Sequence, residues 1–218
     1  MKFIIPVSII WLLLVINSCS ENSTDNSNSD KYGKVTIGTQ VWMLKNLDEN
    51  KYRNGDLIPQ VTDSAQWANL TTGVWCYYNN DSSNGAIYGK LYNWYAVTDP
   101  RGLAPSGWHV PTDDEWNILA NYLGGSAIAG GKMKEIGNEH WKGNNSGATN
   151  ESGFTALPGG MRNLNGAFNS IGDDGHWWSS SIGDTANSWS RYILSSGAQI
   201  TKYYYKIRGG FSVRCVKE

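Results

Sequence analysis

Cysteine and phenylalanine are scarce in this chain, and net charge is nearly absent. Among 218 residues there are 3 Cys and 4 Phe, and the formal net charge is −1. So small a charge leaves no electrostatic footprint for nucleic acid or for an anionic membrane face. Charged residues make up 17%, which argues against the ion-laced helices of a bundle or coiled coil. No segment recurs at a fixed period, so solenoids and propellers are excluded. No H-E-x-x-H occurs. The three histidines, His109, His140 and His176, stand in separate segments, and structural or surface roles are expected for them.

The one long apolar run lies at the N-terminus. Lys2 precedes a stretch from Phe3 to Ile16 that only Pro6 and Ser8 interrupt. Residues 1–18 therefore read as a signal peptide, too short for a spanning helix. Ile16-Asn17-Ser18-Cys19 is similar to a bacterial lipobox, which makes Cys19 the expected lipid-bearing residue and the membrane the expected anchor. Residues 20–30 contain no apolar side chain, so 19–34 is expected to be a disordered tether. The expected location is the bacterial cell envelope, as an outer-membrane lipoprotein, with surface exposure left open. Residues 35–218 form the expected domain.

Tryptophan, tyrosine and glycine are abundant, at 11, 12 and 25 residues. Many amphipathic aromatics and many turns suit a loop-rich α+β or mostly β domain. Its most explicit stretch is Gly107–Trp116, G-W-H-V-P-T-D-D-E-W. Trp108 and Val110 alternate with His109 as in a short strand, and Pro111 ends it. Thr112 with Glu115 spells a capping box. Trp116, Leu119, Ala120 and Leu123 then give one apolar helical stripe, stopped by Gly124-Gly125.

Elsewhere Val35–Trp42 reads as two strands about a Gly turn, and Asn54-Gly55 as a tight turn. Asp63 to Trp67 suits a short helical turn, Leu91 to Thr98 a short helix and Ala127 to Gly131 a small-residue loop. The last third reads as β: His176–Ser180, Trp189–Leu194, Gln199–Lys206 and a closing strand Phe211–Val216. In a strand Trp177 and Trp178 point to opposite faces, so one is expected to be buried and the other exposed. Tyr203 and Tyr205 share a face, with Tyr204 opposite.

With Cys19 lipidated, Cys76 and Cys215 remain. An exported chain sits where disulfides persist, and a lone pair allows one connectivity. The expected Cys76–Cys215 bridge closes a loop of about 140 residues and contributes roughly 4–5 kcal/mol in the entropic account. The alternative is two buried free thiols.

Several segments together carry a family resemblance. I-G-T-Q-V-W-M-L-K-N-L (37–47), Y-R-N-G-D (52–56), Y-G-K-L-Y-N-W-Y-A-V (88–97), G-W-H-V-P-T-D-D-E-W (107–116), S-G-F-T-A-L-P-G-G-M-R (152–162), W-W-S-S-S (177–181) and G-F-S-V-R-C-V-K (210–217) resemble the Fibrobacter succinogenes major paralogous domain, in that family's order. That family is distantly similar to the formylglycine-generating, sulfatase-modifying enzymes: V-P-T-D-D-E-W looks like their L-P-T-E-A-E-W, and G-F-S-V-R-C like their G-F-R-C. The resemblance implies an α+β, C-type-lectin-like fold with small antiparallel sheets, two main short helices, long loops and adjacent termini. A Cys76–Cys215 bridge would suit it.

Formylglycine-generating oxidases hold copper on a cysteine pair before the terminal motif; Ile200–Phe211 has no cysteine, and a soft metal needs thiolates. Glycosidase chemistry needs two facing carboxylates, but Asp113–Glu115 are explained by a helix start and Asp173-Asp174-Gly175 by a turn. A structural calcium is conceivable on hard-oxygen loop residues, chiefly Asn150, Glu151, Asp173 and Asp174, with Asn144 and Asn145 nearby. The Glu-Pro-Asn, Gln-Pro-Asp and Trp-Asn-Asp triplets of sugar-binding lectins are absent. The remaining positive feature is aromatic: Trp141, Trp177, Trp178, Tyr203 and Tyr205 are the candidate ligand contacts. The expected role is non-catalytic binding of glycan or protein at the cell surface. A structural or adhesive component is the alternative, and a carbohydrate-active enzyme the third reading.

Overall fold

A computed structural model describes residue 1 and residues 29–218. Cys19 and the signal segment lie outside the described residues. The elements run in chain order through helix α1 (Ser29–Tyr32), strands β1 (Lys34–Ile37) and β2 (Gln40–Met43), helix α2 (Ser64–Ala68), β3 (Trp75–Cys76), α3 (Ser82–Tyr88), β4 (Leu91–Tyr92) and α4 (Trp94–Val97). Then come β5 (Trp108–His109), α5 (Asp113–Tyr122), α6 (Ser126–Met133), β6 (Gly159–Arg162), β7 (Phe168–Ile171), β8 (Asp174–Ile182), β9 (Asn187–Leu194), β10 (Ile200–Lys206) and β11 (Val216–Lys217). The class is α+β. One sheet has the order β1-β2-β11-β5, a second β10-β9-β8-β6-β7, and β3 pairs with β4. The β6–β8 pairing is parallel, while the other strand pairs are antiparallel.

At β8 the five-stranded sheet is covered on both faces. One face packs on α5 and β2 through Trp177, Trp116, Trp42 and Phe154. The other, through Trp178, meets Tyr92, Trp94 and Phe211. A third cluster sits beneath β3 and α2, with Trp67, Val74, Cys76 and Leu91.

The α5 start forms as its sequence dictates. The Thr112 hydroxyl accepts from Glu115 N–H at 3.2 Å, and Glu115 Oε2 accepts from Thr112 N–H at 2.8 Å. The Gly38 turn between β1 and β2 has φ 61°, where glycine carries no steric cost.

Four expectations need correction. The packed structure begins before the expected end of the tether: Tyr32 is buried, and its hydroxyl donates to Glu49 at 2.5 Å. The helix expected over Leu91–Thr98 is split, because Asn93 caps α4 by accepting from Ala96 N–H and frees Leu91-Tyr92 to pair as β4. The loop expected over Ala127–Gly131 is helix α6. Its glycines are packing residues: a Cβ at Gly130 would stand 2.4 Å from Gln199 O, and one at Gly131 2.3 Å from Gly147 O. The closing strand is short, and Phe211–Cys215 instead threads the core.

The expected disulfide is also overturned: Cys76 and Cys215 are free and buried. Cys76 packs in the third cluster and Cys215 in the first, so they face different apolar surroundings. Burial pushes the Cys76 thiol up to about 12, and Cys215 rises for the same reason.

Candidate ligand-binding face

The long loops hold their shape by giving main-chain carbonyls to buried cations and indoles. Arg162 donates to Val61 O, Thr62 O and Gly166 O, with Trp67 and Phe168 against its guanidinium. Arg214 donates to Met43 O, Phe154 O and Asn46 Oδ1. Lys134 Nζ donates to Ser146 O, Leu194 O, Ser195 O and Gly197 O at 2.8–3.4 Å. Burial draws the Lys134 ammonium down to about 8, and the converging carbonyl dipoles favour its charged form at neutral pH.

That ammonium joins loops for which a structural calcium was one reading. The calcium candidates each have a separate neighbour. Asn150 is held in a turn with Thr155, its Oδ1 accepting from Thr155 N–H at 2.9 Å. Glu151 pairs with Lys132 at 3.5 Å and Asp173 with Lys142 at 3.3 Å. Asp174 Oδ2 lies 3.6 Å from His176 Nε2. Among the described residues, Glu135, Glu139 and His140 do bring their donor atoms within 4.8 Å of one another.

Strand register sorts the aromatics of the second sheet. Trp177 pairs with Arg191 and Trp178 with Ser190; Tyr203 pairs with Ser190 and Tyr204 with Trp189. One face thus carries Trp177, Trp189, Arg191, Lys202 and Tyr204. The opposite face carries Asp174, His176, Trp178, Tyr192, Tyr203 and Tyr205.

Trp177 and Trp178 do point to opposite faces, but both are fully buried because both faces are covered. Their N–H groups donate to Asn46 Oδ1 and Tyr92 O. Trp141 is buried too, donating to Ala156 O at 3.0 Å. All three are therefore corrected from surface contacts to core residues. Tyr203 is 46% exposed and Tyr205 half-buried.

On the first face the polar groups are already engaged. Asp113 receives Arg191 and Lys202, each at 2.7 Å. Lys202 Nζ lies 3.8 Å from the centre of the Trp189 ring. Tyr204 donates to Asp184 at 2.6 Å, which holds that carboxyl well below the usual carboxylate range.

The second face ends in an aromatic ledge. Tyr203 meets Tyr192 edge-on at 5.7 Å and Tyr205 at 6.0 Å. His176 lies between Tyr192 and Phe211, at 5.7 and 5.0 Å. Its ring nitrogens are buried without a hydrogen-bond partner among the described residues. The Tyr205 hydroxyl donates to Asn163 Oδ1 at 2.6 Å, and burial raises its pKa. This surface offers ring faces to apolar C–H groups, with the half-buried Asp174 carboxylate on the same strand face as an acceptor.

Sequence reasoning found Tyr203 and Tyr205 but missed Tyr192, His176 and Asn163 as their neighbours. Tyr192 falls within the expected Trp189–Leu194 strand, but only the β9–β10 register puts it beside Tyr203.

No curated protein and no solved structure matches the chain. A family model described as the Fibrobacter succinogenes major domain matches residues 35–217. On that match, the chain belongs to the Fibrobacter succinogenes major domain family.

Proposed function

We propose that this protein is a non-catalytic binding module for glycans, and that the Tyr192–Tyr203–Tyr205 ledge is its contact surface. The observation that carries the reading is Tyr203, 46% exposed beside two half-buried tyrosines on a supported sheet. Such rings offer flat area at low entropic cost, and their hydroxyls match a polyhydroxylated ligand. Lipidation at Cys19 would tether the module to the cell envelope, in keeping with the lipobox-like end of the first segment. No helix of the described residues is long and apolar enough to cross a membrane.

A C-type-lectin-like fold, distantly related to the sulfatase-modifying enzymes, is supported by the small sheets and by β11 pairing between β2 and β5, which brings the last strand beside an early one. Formylglycine-generating activity is not proposed, since Ile200–Phe211 lacks the cysteine pair.

A second reading, a structural or adhesive component, is favoured by Ile118, Tyr122 and Ile128, which stand exposed on α5 and α6. The two readings separate in a screen of the full chain against soluble glycans and insoluble polysaccharides, with calcium and with chelator. Saturable binding without product release, weakened at least about tenfold by Tyr203→Ala, supports the module. Absence of glycan binding sinks it in favour of the adhesive reading, and release of sugar product returns an enzyme.

A further inference from the structure

We infer that Glu135, Glu139 and His140 form a binding site for a divalent transition-metal ion, separate from the tyrosine ledge. The three side chains project from the irregular segment after α6, and their donor atoms lie within 4.8 Å of one another. His140 Nδ1 is 2.9 Å from both Oε1 and Oε2 of Glu135. Ligands about 2.0–2.2 Å from one zinc ion stand roughly 3–3.5 Å apart. A small inward movement of Glu139 therefore completes a three-ligand arrangement.

The segment is held in place independently of any ion. Tyr88 packs edge-on against the His140 ring at 5.8 Å. Trp141, the next residue, is buried and bonded to Ala156 O. Lys142 N–H donates to Gly172 O at 2.7 Å.

Two further observations point to a cation. Two carboxylates share this small volume, and the segment's lysines bond elsewhere. Lys134 reaches the carbonyls of residues 146, 194, 195 and 197, and Lys142 reaches Asp173. Asn145 is the second: it is only 5% exposed, and its Oδ1 is buried with no proton donor among the described residues. Its Nδ2 donates to the carbonyls of Glu135 and Gly137 at 2.8 and 2.7 Å, so the unpartnered oxygen of the same amide lies beside the turn that carries Glu135. The imidazole sets the preference. Nitrogen with carboxylate oxygen suits zinc and its neighbours, whereas calcium and magnesium favour all-oxygen sites.

The test is calorimetric titration of zinc chloride into the full chain, with calcium and magnesium as competitors and His140→Ala and Glu139→Gln as variants. One zinc per chain is expected, weakened at least about tenfold in each variant and unaffected by calcium. Absence of saturable zinc binding below about 1 mM, binding unchanged in both variants, or equal competition by calcium overturns the inference. Should near-UV circular dichroism show that His140→Ala disturbs packing, the exposed Glu139→Gln decides alone.

Discussion

At the scale of single residues, the abundance of tryptophan over phenylalanine has a physical reason. A loop-rich chain buries carbonyls that no ladder satisfies, and an indole supplies apolar area together with one N–H. Trp67, Trp75, Trp94, Trp141 and Trp178 all donate to main-chain carbonyls. Lys134, Arg162 and Arg214 do the same with more donors. Lys134→Met should therefore cost about 2–4 kcal/mol, because it leaves buried carbonyls without donors; denaturant unfolding measures it, and a loss under about 0.5 kcal/mol would refute the role. The thiols give a second prediction. Cys76 holds its proton up to about 12 in the fold, above the unfolded value. Its contribution to stability is therefore full below the unfolded thiol's pKa and is lost as pH rises through the folded value. At pH 8 neither thiol should react with a thiol reagent until denaturant is added, and Cys76→Val should flatten the alkaline loss of stability. Rapid native labelling would contradict the burial. The disulfide expectation failed because compartment reasoning speaks to redox conditions, not to where a fold places its two sulfurs.

Elements differ in how legible they were. The α5 start was readable because every signal in it is local: proline stop, threonine cap, glutamate at the third position, apolar stripe. Thr112→Ala should cost about 1 kcal/mol, and Thr112→Ser much less; thermal unfolding of the pair checks this, and equal losses would argue against the cap. Helix α6 was unreadable because Gly130 and Gly131 signal a loop locally, while their purpose is close approach to the main chain at Gln199 and Gly147. The tryptophan pair in β8 teaches the same lesson. Period-two alternation assigned the two rings to opposite faces correctly, but whether each face is covered depends on α5 and Phe211, which lie far away in sequence. Tyr192 became a neighbour of Tyr203 only through register.

At the scale of the molecule, the family and the α+β class were legible from motifs, because those motifs are the core: Trp42, Trp94, Trp108 and Trp116 are all buried. The candidate binding surface was half legible, since it is built mainly from the β9–β10 hairpin rather than from the motifs. The central claim is that one face of this hairpin binds glycan and the other does not. Tyr203 and its immediate neighbour Tyr204 are both exposed, at 46% and 37%, on opposite faces. The most direct measurement is therefore the affinity of Tyr203→Ala and Tyr204→Ala for whichever polysaccharide the native chain retains. The account predicts a loss of at least about tenfold for Tyr203→Ala and little change for Tyr204→Ala. Equal effects, or a loss confined to Tyr204→Ala, would contradict it.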